Sequence, residues 1–316
     1  MTEHAGLLQR VLGRVVGRAR EIELTVAALA ADRHVLLEGP PGTGKSTLLR
    51  AVADELGLGF EFVEGNAELT PARLIGHFDP ARVLTDGYDP QVFVDGPLIT
   101  AMRDGSLLYV EEINRIPEET LNVLITVMSE RELHVPRLGR VAASAGFRLV
   151  AAMNPFDAIG TARISSAVYD RVCRLSVGYQ EAAEEALIVQ RALPHLYKGS
   201  AVIDPLWLAR VVEVVRRTRD HPDVRIGSSV RGAIDAAAVA ATLSSLRGRP
   251  ADDPTVGLDA ALVALSGRLR LREGCNRSAE DIVTELWREV FEPVAGSESG
   301  GAGEGKATAP TGAING

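Results

Sequence analysis

The chain has little cysteine, few aromatic residues and no excess of positive charge. Its 316 residues include only two cysteines, Cys173 and Cys275, far apart and outside any C-x-x-C spacing. That excludes a disulfide framework or a cysteine zinc site. The histidines (4, 34, 77, 134, 195 and 221) show no metal-ligand spacing. The formal charge of −8 means that no global basic field draws nucleic acid. No uncharged apolar run reaches the roughly 18 residues of a membrane span, and the N-terminus carries charge without an apolar leader segment. These features predict a soluble, cytoplasmic protein. Aromatics make up 4% and apolar residues 46%, mostly Ala, Val and Leu, which suits helices packed on a buried sheet.

What is present is a glycine-rich loop. Gly39, Pro40, Pro41, Gly42, Thr43, Gly44, Lys45, Ser46 and Thr47 follow the apolar run Val35-Leu36-Leu37. They precede a segment with apolar residues at Leu48, Leu49, Val52 and Leu56. Strand, loop, helix is the context that a phosphate-binding G-x-x-x-x-G-K-[ST] loop requires. A chance match of its fixed positions is expected only about 0.01 times in a chain of this length, which disfavours a plain glycine turn. Glycines let the backbone wrap a polyphosphate, and the helix N-terminus adds its positive end. Lys45 offers charge to the outer phosphates and Ser46 a hydroxyl to Mg²⁺. No Asn-Lys-x-Asp run marks guanine specificity, so ATP is the expected nucleotide.

Around the loop, periodicity predicts alternating strands and helices. Residues 7 to 31 read as a lead-in loop followed by a helix. Phe60–Val63 reads as a short strand, and 66 to 95 as a long polar connection with small structure of its own. Leu107–Val110 is a continuous apolar run, the mark of a strand buried on both faces. Pro117 opens a helix, Leu133–Ala142 reads as a hairpin turning near Pro136 to Gly139, and Phe147–Met153 is another buried strand. A short helix near Ile164 to Asp170 and a strand near Val172 to Leu175 complete a parallel α/β core over residues 1–178. Helical patterns at 181–193, 203–219, 228–247, 256–272 and 279–292 predict an all-α domain over 179–293. The Gly, Ala, Ser and Thr-rich stretch 294–316 reads as a disordered tail.

The run at 107–110 ends in Glu111-Glu112, about 65 residues after the loop. One carboxylate there suits the Mg²⁺ shell and the next suits polarising an attacking water. Asn154 ends the following buried strand. Spacing alone leaves it equally a water-orienting amide or a turn former before Pro155.

Together, Gly39–Thr47, the run Leu-Leu-Tyr-Val-Glu-Glu-Ile-Asn-Arg over 107–115, Ala152-Met-Asn-Pro155, and Gly160-Thr-Ala-Arg163 through Asp170-Arg171 resemble the MoxR group of AAA+ ATPases. The resemblance spans roughly residues 10 to 292. It implies a phosphate-loop ATPase core with a helical lid, working as a homo-oligomeric ring, commonly a hexamer. It implies a base contact for Val16 and Gly17, a first sensor at Asn154, and a second sensor at Arg231. It places an arginine finger at Arg171, with Arg163 as the weaker candidate. The 133–142 hairpin resembles the family's pre-sensor insertion, and 66–95 falls where this clade carries an insert. The implied work is chaperone-like remodelling of a protein client, often with a partner carrying a von Willebrand factor A domain. One departure is Glu111, where the family usually has Asp; the extra methylene predicts slow hydrolysis. A nucleic-acid motor using Arg137 and Arg140 and a small-molecule kinase are the competing readings, and the acidic balance disfavours the first.

Overall fold

The computed structural model describes residues 3–155, 164–197 and 203–292, with side chains from residue 6. The segment Gly160–Arg163, with the weaker finger candidate Arg163, and the stretch 294–316 lie outside the described residues.

The core is a parallel sheet of strands β1 (His34–Glu38), β2 (Phe60–Glu64), β3 (Leu107–Glu111), β4 (Arg148–Met153) and β5 (Val172–Ser176). Their spatial order is β2-β3-β4-β1-β5. The apolar runs at 35–37, 107–110 and 149–153 are buried on both faces because helices cover both sides. Alternate side chains separate cleanly. Leu36, Leu108, Val110 and Leu149 join the core formed with helices Pro97–Asp104 and Glu118–Glu130. Val35, Leu37, Leu107 and Tyr109 face the helices Glu3–Arg14, Ala19–Ala30 and Lys45–Leu56. This is the α/β phosphate-loop fold that the sequence predicts.

Three local expectations change. The lead-in begins as a helix, Glu3–Arg14, and not as a loop. Leu7, Val11 and Val15 lie one turn apart and are buried, while the interleaved basic residues face solvent. The fourth C-terminal helix stops at Leu265, not near 272. After it a short turn leads into Arg270–Leu271, which pairs antiparallel with Val224–Ile226 in the otherwise helical region. A pair of two or three residues carries too little alternation to register in sequence.

The 66–95 connection does carry its own structure. Helix Pro71–Ile75 leads into Gly76–Phe78, which pairs antiparallel with Phe93–Asp95, and helix Pro80–Asp86 lies in the connection between the two strands. The 132–142 hairpin forms with Arg137 at its tip in the left-handed region, φ 67°. The Arg137 guanidinium sits 3.6 Å from the Tyr88 ring centroid, joining hairpin to insert. The C-terminal region has a separate apolar core around Trp207, Val211, Ala237 and Trp287. Among the described residues, no helix is long and apolar enough to cross a membrane.

Candidate functional site

β1 delivers the glycine loop at its carboxyl end. A Cβ at Gly39 would lie 2.0 Å from the Val177 carbonyl oxygen, so no side chain fits there. Gly42 and Gly44 have φ of 75° and 79°, in the region that favours glycine. Thr43 Oγ1 donates to the Pro40 carbonyl at 3.0 Å and closes the loop. The helix Lys45–Leu56 starts immediately after, and its first amides have no intrahelical acceptors. Lys45 folds back, with Nζ donating to the carbonyls of Gly39 and Pro40 at 2.9 Å each. Helix-start amides of this kind, with a lysine beside them, are a donor set that takes an anionic phosphate.

The carboxyl ends of β3 and β4 lie beside it. Ser46 Oγ donates to Glu111 Oε1 at 3.4 Å and is 3.2 Å from the Tyr109 hydroxyl. Glu112 leaves the strand in the left-handed conformation, φ 53° and ψ 44°. Such backbone in a non-glycine residue is costly and gathers at working sites. The Gly65 amide donates to the Glu111 carbonyl at 2.7 Å, and a Cβ on Gly65 would come 2.4 Å from the Glu112 carbonyl oxygen. The Glu112 carboxylate pairs with Arg115 Nε at 3.1 Å. Asn154 follows β4, whose Met153 carbonyl accepts from the Gly39 amide at 3.1 Å. The two acidic residues, the amide and the loop therefore share one edge of the sheet.

Among the described residues, no group of three or more His, Cys, Asp and Glu gathers to hold a metal. Ser46 and Glu111 do supply two hard oxygens next to the loop. Mg²⁺ is commonly bound by one or two protein oxygens, with phosphates and water completing its shell. The donor set fits that mode.

A cavity of about 570 Å³ opens next to the loop, walled by Val15, Val16 and Arg18 on one side and by Ile188, Ala192 and Ile234 on the other. Gly42, Gly44 and Thr47 form its floor. Val16 lies in this lining, whereas Gly17 does not. Gly17 instead makes a turn with φ 69°, and a Cβ there would meet the Glu184 carboxyl at 2.6 Å.

The two arginines singled out from the sequence lie far apart. Arg231 lines the same cavity, and Ser229 beside it sits so close that a Cβ on Gly42 would be 2.2 Å from its hydroxyl. Arg171 instead lies at the start of β5, near the opposite end of the sheet. Its Nε donates to Ser129 Oγ and its Nη1 to the Ala167 carbonyl at 2.8 Å.

The AAA domain family, dynein-related subfamily, matches residues 34–172, from the first residue of β1 to the first of β5. YeaC of Bacillus subtilis is 30% identical over 90% of this chain and 93% of its own. The chain belongs to the AAA+ family. Its architecture also resembles that of a candidate ATPase from Cytophaga hutchinsonii, with TM-score 0.51 and 21% identity over 91% of this chain and 94% of that one. The Thermotoga maritima RuvB Holliday junction branch migration motor has TM-score 0.52 and 18% identity over 81% of this chain and 73% of its own. At those identities the likeness is one of fold.

In this AAA+ protein several site residues escape sequence reasoning. Arg18 is buried, and its guanidinium donates to the Thr43 carbonyl and Gln180 Oε1 at 3.0 Å each and also to the Gly178 carbonyl. It ties the lead-in, the phosphate loop and the exit from β5 together. Glu185 is 1% exposed and pairs with Arg216 at 3.0 Å and Arg219 at 2.7 Å. Arg219 Nε also donates to the Ser228 carbonyl at 2.8 Å, so this cluster fixes the turn that presents Arg231. In sequence, each is one arginine or glutamate among many.

Burial pushes the Lys45 ammonium down to about 8, with Arg231 and Arg18 lowering it further and Glu111 and Glu112 opposing. Bound phosphate would keep it protonated. Above pH 8 binding must then take up a proton, and affinity falls. ADP affinity at pH 9 is expected to be about tenfold weaker than at pH 7, one decade per unit beyond the free-state value. Lys45→Met should lack this dependence. Calorimetry in buffers of different ionisation enthalpy reads the proton uptake directly, and a flat wild-type profile would contradict it.

Proposed function

We propose that this AAA+ protein is a Mg²⁺-dependent ATPase of the MoxR type that assembles into a homo-oligomeric ring, hexameric by family resemblance, and remodels a protein partner. The observation that carries this reading is the place of Arg171. The glycine loop, Glu111, Glu112 and Asn154 share the carboxyl edge of the sheet, while Arg171 precedes β5 at the amino edge. β1 and β5 pair in register from His34↔Val172 to Glu38↔Ser176. One strand length, about 16 Å at ~3.3 Å per residue, separates Arg171 from its own loop. A site that needs this arginine is complete only when a neighbour supplies it.

Within one site, the loop amides and Lys45 bind the phosphates, and Val16 with Ile188 and Ile234 flank the base. Glu112 accepts a proton from the attacking water, and Asn154 orients that water. Arg231 of the same chain and Arg171 of the next neutralise charge on the terminal phosphate. A cation held by Ser46 and Glu111 would supply charge neutralisation between the outer phosphates. Reading nucleotide state through Arg231 would let the helical C-terminal region move as a lid on the core.

A protein client agrees with the acidic balance better than nucleic acid does. Arg140 is already paired with Glu132, and Arg137 is stacked on Tyr88, so neither is set aside for phosphates. The test is ATP turnover per chain against protein concentration, with mass followed by light scattering. Turnover that rises as the assembly forms, and vanishes in Lys45→Ala, is expected. Concentration-independent turnover from a monomer would end the ring reading.

A further inference from the structure

The metal-side carboxylate of this chain is a glutamate, which has one more rotatable bond than aspartate and needs something to hold it. Tyr109 lies two residues earlier on β3, so both side chains project from the same face, the one that meets helix Lys45–Leu56. Tyr109 is 0% exposed, and its ring packs against Phe60 and Phe62 at centroid distances of 5.8 and 5.7 Å. Phe would keep the same ring contacts without the hydroxyl. A buried hydroxyl is costly unless it is bonded, so the phenolic oxygen must be used where it ends.

It ends 3.2 Å from Ser46 Oγ, which is itself 3.4 Å from Glu111 Oε1. A phenol carries its proton at neutral pH. The proton count then sets the direction of the chain. The carboxylate can only accept, so Ser46 donates to Glu111, and Tyr109 donates to Ser46. One lone pair of Ser46 Oγ remains for a cation.

We propose that Tyr109 is a positioning residue for the divalent cation. Its hydroxyl holds the Ser46 hydroxyl and the Glu111 carboxylate together as a preformed oxygen pair and so sets the Mg²⁺ requirement of nucleotide binding. This rests on the nucleotide reading above. The hydrogen-bonding partners of metal ligands typically contribute about 10–100-fold to metal affinity.

The test needs no turnover. A fluorescent ADP analogue is titrated into wild type and Tyr109→Phe, first in EDTA and then across a MgCl₂ series. Affinity in EDTA is expected to be unchanged, because the packing is kept. The MgCl₂ concentration giving half of the metal-dependent gain is expected to rise about tenfold in Tyr109→Phe. In Ser46→Ala, where the oxygen that Tyr109 holds is gone, adding Tyr109→Phe should have no further effect. Equal MgCl₂ midpoints in wild type and Tyr109→Phe would overturn the proposal. So would an equal loss with and without metal, which would mark a packing role only. Wild type that binds no ADP would overturn the nucleotide reading itself, and this inference with it.

Discussion

Arg171→Ala is expected to lower ATP turnover by about 10³-fold or more, the usual effect of removing an arginine that stabilises phosphoryl-transfer charge. Nucleotide affinity of the isolated chain should be unchanged, because Arg171 is far from the loop of its own chain. The side chain is already ordered without a neighbour. Ser129 Oγ takes its Nε, and the Ala167 carbonyl takes Nη1 at 2.8 Å. That leaves the second terminal nitrogen for a partner site. The decisive measurement mixes two inactive variants. Lys45→Ala lacks the loop lysine but keeps the arginine, and Arg171→Ala has the converse defect. Mixed rings contain interfaces that join an intact loop to an intact arginine, so turnover should return on mixing. If the mixture stays as inactive as its components, Arg171 does not act across an interface. Full turnover in Arg171→Ala alone would remove it from the reaction altogether.

Glu112→Gln is expected to lower turnover by about 10²–10⁴-fold, the range for a lost general base, while leaving ADP and ATP binding intact. Glu111 ends the strand with its carboxylate turned to Ser46, and the left-handed turn at Glu112 sends the next carboxylate elsewhere. Gly65 presses against that turn and leaves no room for a Cβ, so the backbone is held in a conformation it would otherwise leave. The amide of Gln keeps shape and hydrogen-bonding capacity but cannot take a proton. Turnover and equilibrium binding on the same preparation check this. Should Glu111→Gln abolish turnover with Glu112→Gln fully active, the two roles would have to be exchanged.

The chemistry of the phosphate loop is local, and nine consecutive residues with their flanking periodicities make it legible. The same holds for the buried strands at 107–110 and 149–153, whose unbroken apolar runs require cover on both faces, and for the hairpin turning near Pro136 to Gly139. Glu111, Glu112 and Asn154 could be noticed because each ends such a strand. All of these depend on neighbours within a few positions, where spacing reports geometry directly.

Which strands meet is set by long-range packing, beyond the reach of local spacing. The order β2-β3-β4-β1-β5 puts Glu111 and Asn154 beside the loop and Arg171 at the other edge, and no spacing in the chain expresses that order. Arg18 became a site residue only when residues some 160 positions away supplied its acceptors. Glu185 is buried because Arg216 and Arg219 from a later helix enclose it. In sequence Tyr109 is one more residue of an apolar strand; the fold sets its hydroxyl against Ser46. The physical reason is common to these three residues. An arginine, a glutamate or a tyrosine takes its role from the partner that satisfies its polar atoms, and long-range packing chooses that partner.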